Sequence, residues 1–492
     1  MFQTTDIKHI DKLTIALEPI DSKALMMRAA TNVYSFIKER FPMTDVIIAA
    51  GPGNNGGDGL AVAKLLSDSG FNVEVWSYTS STGKRSDDCR YYFDKLRTSR
   101  CTIHENEPLP EKIKEGTLVV DALFGTGLSR PLEGTMAEVV RRINMWQTTV
   151  VSIDIPSGLG TEESYATLSG EIVKATHTVS FQFPKVAFFL PETALYVGQW
   201  HITDIGLHPE AITSTYSQLY YTDASTAQRL IVPRNRFAHK GDMGRAMLFV
   251  GSYGMMGAAT MAAKACVCCG VGVLTSVIPS IGYDIMQTSV PESMALCTDE
   301  RRHATWRDEL YNKNIKAIGI GPGLGRDNAT TAFVGNVLSA YKEYKNVIDA
   351  DALYHLRQLT NKGFTLPANA VLTPHEGEFD RLTHPHTSRF ERLKTASEYA
   401  MKHNVVVVLK GAYTATLTPD GRTIFNTTGN PGMATGGMGD LLTGIITALL
   451  AQGYDAVTAA VLGVNIHANT ADAICRQRGE MGVTPTRMLE IL

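Results

Sequence analysis

Short apolar segments rich in β-branched residues alternate with longer helical patterns along the whole chain. Examples of the short segments are "DVIIAAG", "TLVVDALFG", "RAMLFVGS" and "VVVVLKG". Repeated β-then-α units of this kind predict mainly parallel sheets that carry helices on both faces. The sequence therefore predicts an α/β fold.

The length and rhythm of the chain predict two domains. Its 492 residues exceed the usual size of a single hydrophobic core. The strand-helix rhythm weakens near residues 212 to 230, where Ser, Thr and Tyr replace it. The two halves carry different glycine motifs, so an internal repeat is not indicated. We place one domain at residues 1–215 and a second, unlike domain at residues 225–492.

Charge and hydropathy limit the classes of partner. The chain has 46 Lys and Arg against 49 Asp and Glu and no basic run, so we expect neither nucleic acid nor an anionic membrane. The same charge balance makes small molecules the expected substrates. Neither an apolar signal core at the N-terminus nor a run of about eighteen apolar residues occurs, which predicts a cytoplasmic protein. Cys266, Cys268 and Cys269 lack a completing ligand set, so we expect buried side chains rather than a metal site.

A glycine-rich turn joins the first strong strand pattern to a helical one in "VIIAAGPGNNGGDGLAVAKLL", residues 46–66. Gly51, Gly53 and Gly56 form a G-x-G-x-x-G motif. Glu74 then lies about where a dinucleotide-binding fold places an acid for a ribose hydroxyl. On this motif alone, an NAD-dependent dehydrogenase is the first interpretation.

Two further strand ends in the N-terminal half are rich in glycine and polar residues. The segment "VVDALFGTGLSRPL" contains Asp121, and "SIDIPSGL" contains Asp154 and Ser157. Ligands of open α/β sheets bind beyond the carboxyl ends of the strands, so these loops and the turn at 51–59 belong to one predicted site. Backbone N–H groups in a tight turn before a helix suit phosphate oxygens.

The ordered motifs "NNGGDG", "DALFGTGL" and "DIPSGL" resemble the YjeF N-terminal family, the NAD(P)H-hydrate epimerases, over most of residues 10–210. The resemblance implies a Rossmann-like α/β/α sandwich that binds a hydrated dinucleotide, NADHX or NADPHX, as a substrate to be repaired. It implies that Asp154 is the acid/base group at the damaged ring. It implies substrate contacts from two loops, made by Asn54, Asn55, Gly56, Gly57, Asp58, Gly125, Thr126, Gly127, Leu128, Ser129, Arg130 and Pro131. It also implies a potassium ion held by Asn55, Asp121 and Ser157, whose side-chain oxygens suit a hard cation.

A second glycine-rich loop near the end of the chain precedes a strong amphipathic helix. In "GGMGDLLTGIITALL", Gly439 and Asp440 stand at the predicted helix start. Backbone N–H groups there would face an anion, and the aspartate can serve as base toward a hydroxyl that attacks a phosphoryl group. The sequence contains no G-x-x-x-x-G-K-[ST], which disfavours a P-loop NTPase.

Other strand ends of this half carry "GPGLG", "TPHEGE" and "KGAYT", and together these motifs resemble the ribokinase-like superfamily over about residues 230–490. Within it the likeness is to the ADP- or ATP-dependent NAD(P)H-hydrate dehydratases. The resemblance implies that Asp440 is the catalytic base. Implied nucleotide contacts are Lys410, Gly411, Ala412, Tyr413, Thr414 and Gly439, and implied substrate contacts are Ala258, Gly323, His375 and Asp440. Asp349 and Asp351 either help to place Mg²⁺ or are buried capping residues.

The two resemblances imply a bifunctional nicotinamide nucleotide repair enzyme, an isomerase joined to a lyase. The first domain would interconvert R- and S-NAD(P)HX. The second would dehydrate the S form at the expense of ADP or ATP with Mg²⁺, and with ADP would give NAD(P)H, AMP and phosphate. We expect a homo-oligomer.

Three alternatives stay open at this point. The C-terminal half could be a vitamin or sugar kinase, which would accumulate a stable phosphorylated product instead of free phosphate. The N-terminal half could bind a nucleotide or protein only as a scaffold. The dehydrogenase interpretation is the weakest, because two nucleotide sites on separate domains leave no evident hydride acceptor site.

Overall fold

The computed structural model of the chain describes residues 1–80, 82–128, 130–160 and 170–492. It contains two compact units, Met1–Ser217 and Gln218–Leu492. No helix in the described part of the chain is both long enough and apolar enough to cross a membrane. Each unit has its own sheet, in which strands alternate with helices along the chain.

The first unit is built on a seven-stranded sheet in which every pair of neighbouring strands runs parallel. Its strands are β1 (Val46–Ala50), β2 (Val73–Ser77), β3 (Thr102–Glu105), β4 (Leu118–Ala122), β5 (Val150–Ile153), β6 (His177–Phe181) and β7 (Gln199–Thr203). Its α-helices, among the described residues, are α1 (Thr4–Leu17), α2 (Ser22–Arg40), α3 (Asn54–Asp68), α4 (Asp87–Leu96), α5 (Gly134–Met145), α6 (Ala194–Val197) and α7 (Pro209–Ser214). The spatial order of the strands is β3-β2-β1-β4-β5-β6-β7.

Alternate side chains of β1 and β4 belong to two separate apolar clusters. Ile48 and Val120 pack in a cluster with residues of α2, α3 and α4. Ile47 and Val119 pack in a second cluster with residues of α5. Because successive side chains of a strand point to opposite faces of a sheet, helices cover both faces. The predicted Rossmann-like α/β/α sandwich is confirmed.

The second unit is built on a ten-stranded sheet in the order β11-β10-β9-β12-β13-β14-β15-β16-β17-β8, in which β16 alone pairs antiparallel to its neighbours. Its strands are β8 (Leu219–Thr222), β9 (Arg245–Phe249), β10 (Val273–Pro279), β11 (Ser293–Thr298), β12 (Ala317–Ile320), β13 (Lys345–Ile348), β14 (Val371–Leu372), β15 (Val406–Leu409), β16 (Ala415–Leu417) and β17 (Thr423–Asn426). Its α-helices are α8 (Ala224–Gln228), α9 (Met256–Cys268), α10 (Tyr283–Ser289), α11 (Asn328–Ala340), α12 (Ala350–Thr360), α13 (Glu376–Leu382), α14 (Arg389–His403), α15 (Met438–Ala451), α16 (Ala456–Arg478) and α17 (Pro485–Ile491). Strand β8 is the last strand in this order and therefore an edge strand of the sheet. In the sequence it lies between the two predicted domains.

Helices also cover both faces of the second sheet. Leu248 of β9 packs in one large apolar cluster with residues of α9, α15 and α16. The next residue, Phe249, meets the rings of Phe333 in α11 and of Tyr341, at centroid distances of 6.1 and 5.6 Å. The predicted parallel α/β organisation is confirmed in this half as well.

Main-chain contacts bring the ends of neighbouring strands close together. A Cβ atom at Gly51, after β1, would lie 1.8 Å from the Leu123 carbonyl oxygen, after β4. A Cβ atom at Gly321, after β12, would lie 1.8 Å from the Asp349 carbonyl oxygen, and Gly321 also has a φ of +133°. In each sheet the strand order reverses, between β1 and β4 and between β9 and β12. The carboxyl ends of strands beside such a reversal are where open α/β sheets bind ligands.

We expect Gly51→Ala to lower the free energy of unfolding of the first unit by about 3 kcal/mol, because a new methyl group would collide with a main-chain carbonyl. Gly53→Ala is the matched control, since a Cβ atom there meets nothing within 4 Å. Its cost should stay below about 1 kcal/mol, the scale of losing a preferred helix-capping glycine. Urea unfolding followed by tryptophan fluorescence measures both, because Trp76, Trp146 and Trp200 lie in this unit. Equal midpoints for the two variants would contradict the close contact.

Candidate active sites

A cavity of about 760 Å³ opens at the carboxyl ends of β1, β4 and β5 in the first unit. Most residues that the sequence predicted as substrate contacts line it, namely Asn54, Asn55, Asp58, Gly125, Thr126, Gly127, Leu128, Arg130, Pro131 and Asp154. Gly56 and Gly57 do not line it and are buried in the first turn of α3. Ser129 lies outside the described residues.

The two buried glycines allow the start of α3 to pack tightly. A Cβ atom at Gly56 would lie 1.9 Å from the Gly51 carbonyl oxygen, and one at Gly57 would lie 2.8 Å from the sulfur of Met26. Helix α3 begins at Asn54, which lines the cavity. The N–H groups and partial positive charge of its first turn therefore border the cavity, a position that favours an anion.

Asp154 follows β5 with a strained backbone and a charged partner. Its φ is +67°, a value that residues other than glycine rarely adopt and that is concentrated at functional sites. Its carboxylate accepts hydrogen bonds from Lys185 Nζ and, at 3.2 Å, from Ser180 Oγ. Only 7% of the Lys185 side chain is exposed, so the ion pair is nearly buried. Removing one partner of such a pair is costly, because the other charge is left desolvated.

Two more carboxyl groups of the cavity interact electrostatically with Asp154. Burial, followed by the charge of Asp154, raises the pKa of Asp11 to about 6, while Lys185 acts to lower it. Burial, followed by the charges of Asp154 and Asp11, raises the pKa of Asp58 well above its usual range. The cavity thus combines three interacting acids with one buried lysine, an arrangement typical of acid/base sites.

Asp121 and Ser157, two of the predicted potassium ligands, are joined by hydrogen bonds. Ser157 donates to Asp121 through its hydroxyl at 2.5 Å and its backbone N–H at 2.8 Å, and Ser152 Oγ donates at 2.7 Å. Burial raises the pKa of Asp121, whereas these hydrogen bonds act to lower it. Asn55 is also buried, and neither polar atom of its amide has a partner among the described residues. Ser157 contacts Phe124, and Asn55 lies next to Gly125, so the predicted ligands meet around one loop segment.

In the second unit, the start of α15 approaches an ion pair between the half-buried Lys410 and the buried Asp349. Lys410 Nζ lies 3.1 Å from Asp349 Oδ1 and 3.7 Å from Glu378 Oε2. A Cβ atom at Gly439 would lie 3.4 Å from that Lys410 nitrogen. Thr443, one turn further along α15, donates to Asp349 Oδ2 at 2.7 Å. The glycine at position 439 therefore leaves room for the lysine beside the helix start.

These charges act on Asp440, the predicted base. Burial, followed by the charge of Asp349, raises the pKa of Asp440 to about 7, and Lys410 acts to lower it. Burial acts to lower the pKa of Lys410, but the acids Asp349, Glu378 and Asp440 together raise it above its usual value. A carboxyl group with a pKa near the working pH is well suited to accept a proton.

The remaining predicted substrate contacts lie at neighbouring strand ends. Ala258 and Gly323 are adjacent, since a Cβ atom at Gly323 would lie 3.2 Å from the Ala258 Cβ. His375 forms an isolated parallel bridge with Lys410 and caps the start of α13, where its Nδ1 accepts from the Gly377 N–H at 3.1 Å. The structure therefore brings His375 to the charged cluster and pairs Ala258 with Gly323.

The predicted nucleotide loop, residues 410–414, is held in place by Arg389 of α14. This buried guanidinium donates to the Tyr413 carbonyl at 2.9 Å and to the Glu376 carboxylate at 2.5 Å. Gly411 and Ala412 are exposed, and Tyr413 and Thr414 are half-buried. The loop thus has a fixed base and an accessible surface.

Asp349 and Asp351 both have protein partners. Besides Lys410 and Thr443 at Asp349, the Asp351 carboxylate accepts from the Gly325 N–H at 3.0 Å and from Arg326 Nε at 3.0 Å. Across the described residues, no three His, Cys, Asp or Glu side chains form a group that could hold a metal ion. Asp349 precedes α12 but its side chain makes no capping hydrogen bond there, and Asp351 is only half-buried. A role of the two aspartates in placing Mg²⁺ therefore stays a prediction.

Sequence reasoning missed several residues of both sites. Asp11 lies in α1, far ahead of the first glycine motif, and Lys185 follows β6 in "QFPK" without a recognisable spacing. Glu378 belongs to "TPHEGE", from which only His375 was selected. A charged residue directly after a predicted strand was the only available indication for Lys185. Arg389 had none.

The fold and sites define a two-domain α/β enzyme. One domain has an acid-lined cavity at a strand-order reversal, and the other has the Asp440 carboxyl group at a helix start near Lys410.

Comparisons with known proteins identify both domains. The family described as YjeF-related protein N-terminus matches residues 22–187, and the family described as NAD(P)H-hydrate dehydratase matches residues 246–492. The bifunctional NAD(P)H-hydrate repair enzyme Nnr of Moorella thermoacetica is 33% identical, over 99% of this chain and 94% of that protein. The enzyme of the same name from Vibrio cholerae is 34% identical, over 99% of this chain and 96% of that protein. A solved ribokinase-like superfamily protein from Enterococcus faecalis is 29% identical, with a TM-score of 0.51, and covers 56% of this chain and 95% of its own.

The chain belongs to the family of bifunctional NAD(P)H-hydrate repair enzymes. The predicted family and the ribokinase-like fold of the second domain are confirmed. The family supports a bifunctional enzyme over a small-molecule kinase fused to a nucleotide-binding domain.

We expect Lys410→Met to raise the pKa of Asp440 above about 7, because the substitution removes the cation that acts to lower it. The pH titration of the Asp440 carboxyl carbon, followed by NMR in selectively labelled protein, measures the change. Lys402→Met is the matched control, since Lys402 is exposed on α14 and is not among the groups that shift Asp440. An unchanged titration in Lys410→Met would contradict the electrostatic link.

Proposed function

We propose that this protein repairs hydrated nicotinamide nucleotides in two steps. The first domain interconverts R- and S-NAD(P)HX, and the second dehydrates the S form with ADP or ATP as phosphoryl donor. The observation that carries the proposal is the separation of two acid sites, one around Asp154 and the other around Asp440, in units whose families differ. One chain would then clear both epimers.

In the first domain, the cavity offers separate surfaces for the charged and the reacting parts of the substrate. The α3 start at Asn54 and Asn55 and the loop from Gly125 to Pro131 suit the phosphates and ribose, because they combine N–H groups with Arg130. Asp154 acts at the damaged ring as the acid/base group. Lys185 compensates its charge and, with Ser180, fixes the direction of its carboxylate.

In the second domain, Asp440 takes the proton of the ring hydroxyl, and the hydroxyl oxygen attacks the terminal phosphorus of ADP. The bond from that phosphorus to the bridging oxygen breaks, and its electron pair leaves with AMP. The ring nitrogen lone pair then expels phosphate, and loss of a proton from the neighbouring ring carbon restores the dihydropyridine. The products are NAD(P)H, AMP and phosphate. Contacts of Gly439 and residues 410–414 with the nucleotide, and of Ala258, Gly323 and His375 with the hydrate, belong to this proposal.

Two cations belong to the proposal. The Asn55 amide is buried and has no hydrogen-bond partner in the part of the chain that the structure describes, and the buried Asp121 carboxylate accepts from Ser152, Ser157 and Leu123. Oxygen atoms of these groups fit a potassium ion. Such an ion would offset the Asp121 charge and order the loop at Phe124 and Gly125. Mg²⁺ would enter with the nucleotide and neutralise its phosphate charge. A cytoplasmic location and a homo-oligomeric state remain predictions from the sequence.

The two acids should have separable effects on a mixture of R- and S-NADHX with ADP. We expect Asp440→Asn to slow dehydration by about 10²- to 10⁴-fold, the usual scale for a positioned general base. Asp154→Asn should consume the S fraction quickly and then stall on the R form. The absorbance of the restored dihydronicotinamide measures the time course of each variant. Rapid, complete NADH recovery by the Asp440 variant would overturn the assignment of the base, and rapid, complete consumption by the Asp154 variant would overturn that of the epimerase acid.

The pH dependence of dehydration gives an independent check. The base must be unprotonated, so kcat/KM for the S hydrate should fall as the pH drops through about 7, the pKa to which burial and Asp349 raise Asp440. The Asp440→Asn variant should lack this limb. The profile is measured with purified S hydrate, so that epimerisation does not contribute.

Potassium binding should be visible without any activity assay. A ligand that binds only the folded state raises the melting temperature. We expect the first unit to melt higher in KCl than in choline chloride at equal ionic strength, and Asn55→Ala to lose this difference. Asn72→Ala, at an exposed amide that donates to Asp45, is the control and should keep this difference. Equal melting of the wild type in both salts would remove the ion from the proposal.

A further inference from the structure

Helix α1 contributes one carboxyl group to the cavity of the first unit. Ile7, Lys8 and Asp11 of this helix line the cavity together with Asp154. Within the described part of the chain, the Asp11 carboxyl makes no hydrogen bond or ion pair with protein groups, although it is half-buried. A half-buried acid that faces a cavity without a protein partner is available to a bound molecule.

The charged groups around Asp11 differ in whether they already have a partner in the protein. Lys185 is committed to Asp154 and Ser180 through its ammonium group. Asp58 lies on α3, beside the helix start that suits the phosphates. Lys8 is the other charged group that α1 presents to the cavity. Asp11 is therefore a cavity acid that lies on α1, apart from the predicted phosphate-binding helix start, and has no hydrogen-bond or ion-pair partner among the described residues.

We propose that Asp11 is the second proton-transferring residue of the epimerase site and acts on the ring nitrogen while Asp154 acts on the ring hydroxyl. This inference rests on the proposed epimerase function. It makes Asp11 a catalytic residue, because its carboxyl would touch the reacting atoms.

The reaction balances with these two acids alone. Asp154 takes the hydroxyl proton, the carbon–nitrogen bond of the hydrated carbon breaks, and its electron pair goes to nitrogen, which receives the Asp11 proton. The hydroxyl-bearing carbon becomes an aldehyde, and rotation about its remaining carbon–carbon bond presents the other face. The nitrogen attacks that face while Asp11 recovers its proton, and Asp154 returns its proton to oxygen. Only the configuration at this carbon has changed.

The electrostatics of the cavity support an acid at position 11. Burial and the Asp154 charge raise the pKa of Asp11 to about 6, whereas Lys185 acts to lower it. The charged groups that line the cavity with Asp11 are Asp154 after β5, Lys185 after β6, Asp58 of α3, Lys8 of its own helix, and Arg130 and Glu133 before α5. A bound dinucleotide adds phosphate charge and removes water, and both changes favour the protonated form further.

The test compares Asp11→Asn with the wild type on purified R-NADHX, with separation of the R and S hydrates by chromatography and subtraction of spontaneous conversion. We expect kcat for epimerisation to fall by about 10²-fold or more, the scale for a positioned acid or base. Dehydration of S-NADHX should stay within about twofold of the wild type, because it uses the second unit. Asp94→Asn, at an exposed aspartate of α4, is the matched control and should change neither rate.

A pH profile separates a proton donor from a structural residue. The acid must be protonated, so wild-type kcat/KM for epimerisation should fall as the pH rises through the pKa of free Asp11, about 6. Asp11→Asn should lose this limb, and Asp11→Glu should retain it with a reduced kcat. Asp11→Ser, a smaller side chain without an acid, replaces the Asn variant if circular dichroism shows that the latter does not fold.

The outcomes distinguish the two proposals. A wild type that does not interconvert the hydrates contradicts the epimerase function and this inference together. A wild type that does so, with a folded Asp11→Asn or Asp11→Ser variant within about threefold of its rate or with an unchanged high-pH limb, overturns only the role of Asp11.

Discussion

The close main-chain contact between the ends of adjacent parallel strands is the constraint on which both sites depend. At Gly51 and at Gly321, the space that a side chain would need is filled by the carbonyl group of the neighbouring loop. Because the strands themselves are only about 5 Å apart, the loops that follow them have to share this space. The contact holds the loops in fixed register, and the polar side chains beyond it then converge on one point.

Each unit uses this convergence to hold acids against a lysine. Lys185 pairs with Asp154 in the first unit, and Lys410 pairs with Asp349 in the second. Such pairs are weak sources of stability, since removing two charges from water costs about as much as their attraction returns. Their effect is instead on the neighbours, whose pKa values they shift. Asp11 and Asp440 both have raised pKa values and feel the charges of these pairs.

A residue with a strained backbone occurs in each of the two sites. Asp154, after β5, has a φ of +67°, and Ala350, between Asp349 and Asp351, has a φ of +48°. Left-handed backbone at residues other than glycine costs about 1 to 3 kcal/mol and persists where surrounding contacts hold it. Here the sheet and the hydrogen bonds of the acids supply those contacts. The strained residue Asp154 itself lines the cavity, and Ala350 lies between two acids of the second site.

The sequence by itself determined the alternation of strands and helices, the division into two unlike domains and the glycine-rich strand ends, because these depend on local spacing and on residue type. It also determined most of the lining of the first cavity, since carboxyl ends of neighbouring parallel strands must meet. Only the tertiary structure decided that α1 brings Asp11 to Asp154, that Lys185 rather than another lysine compensates that charge, and that Glu378 and Thr443 join Lys410 and Asp349. The physical reason is that two charged groups interact according to their distance in space. Burial then sets how strongly each group shifts the pKa of the other. Neither distance nor burial can be read from spacing along the chain.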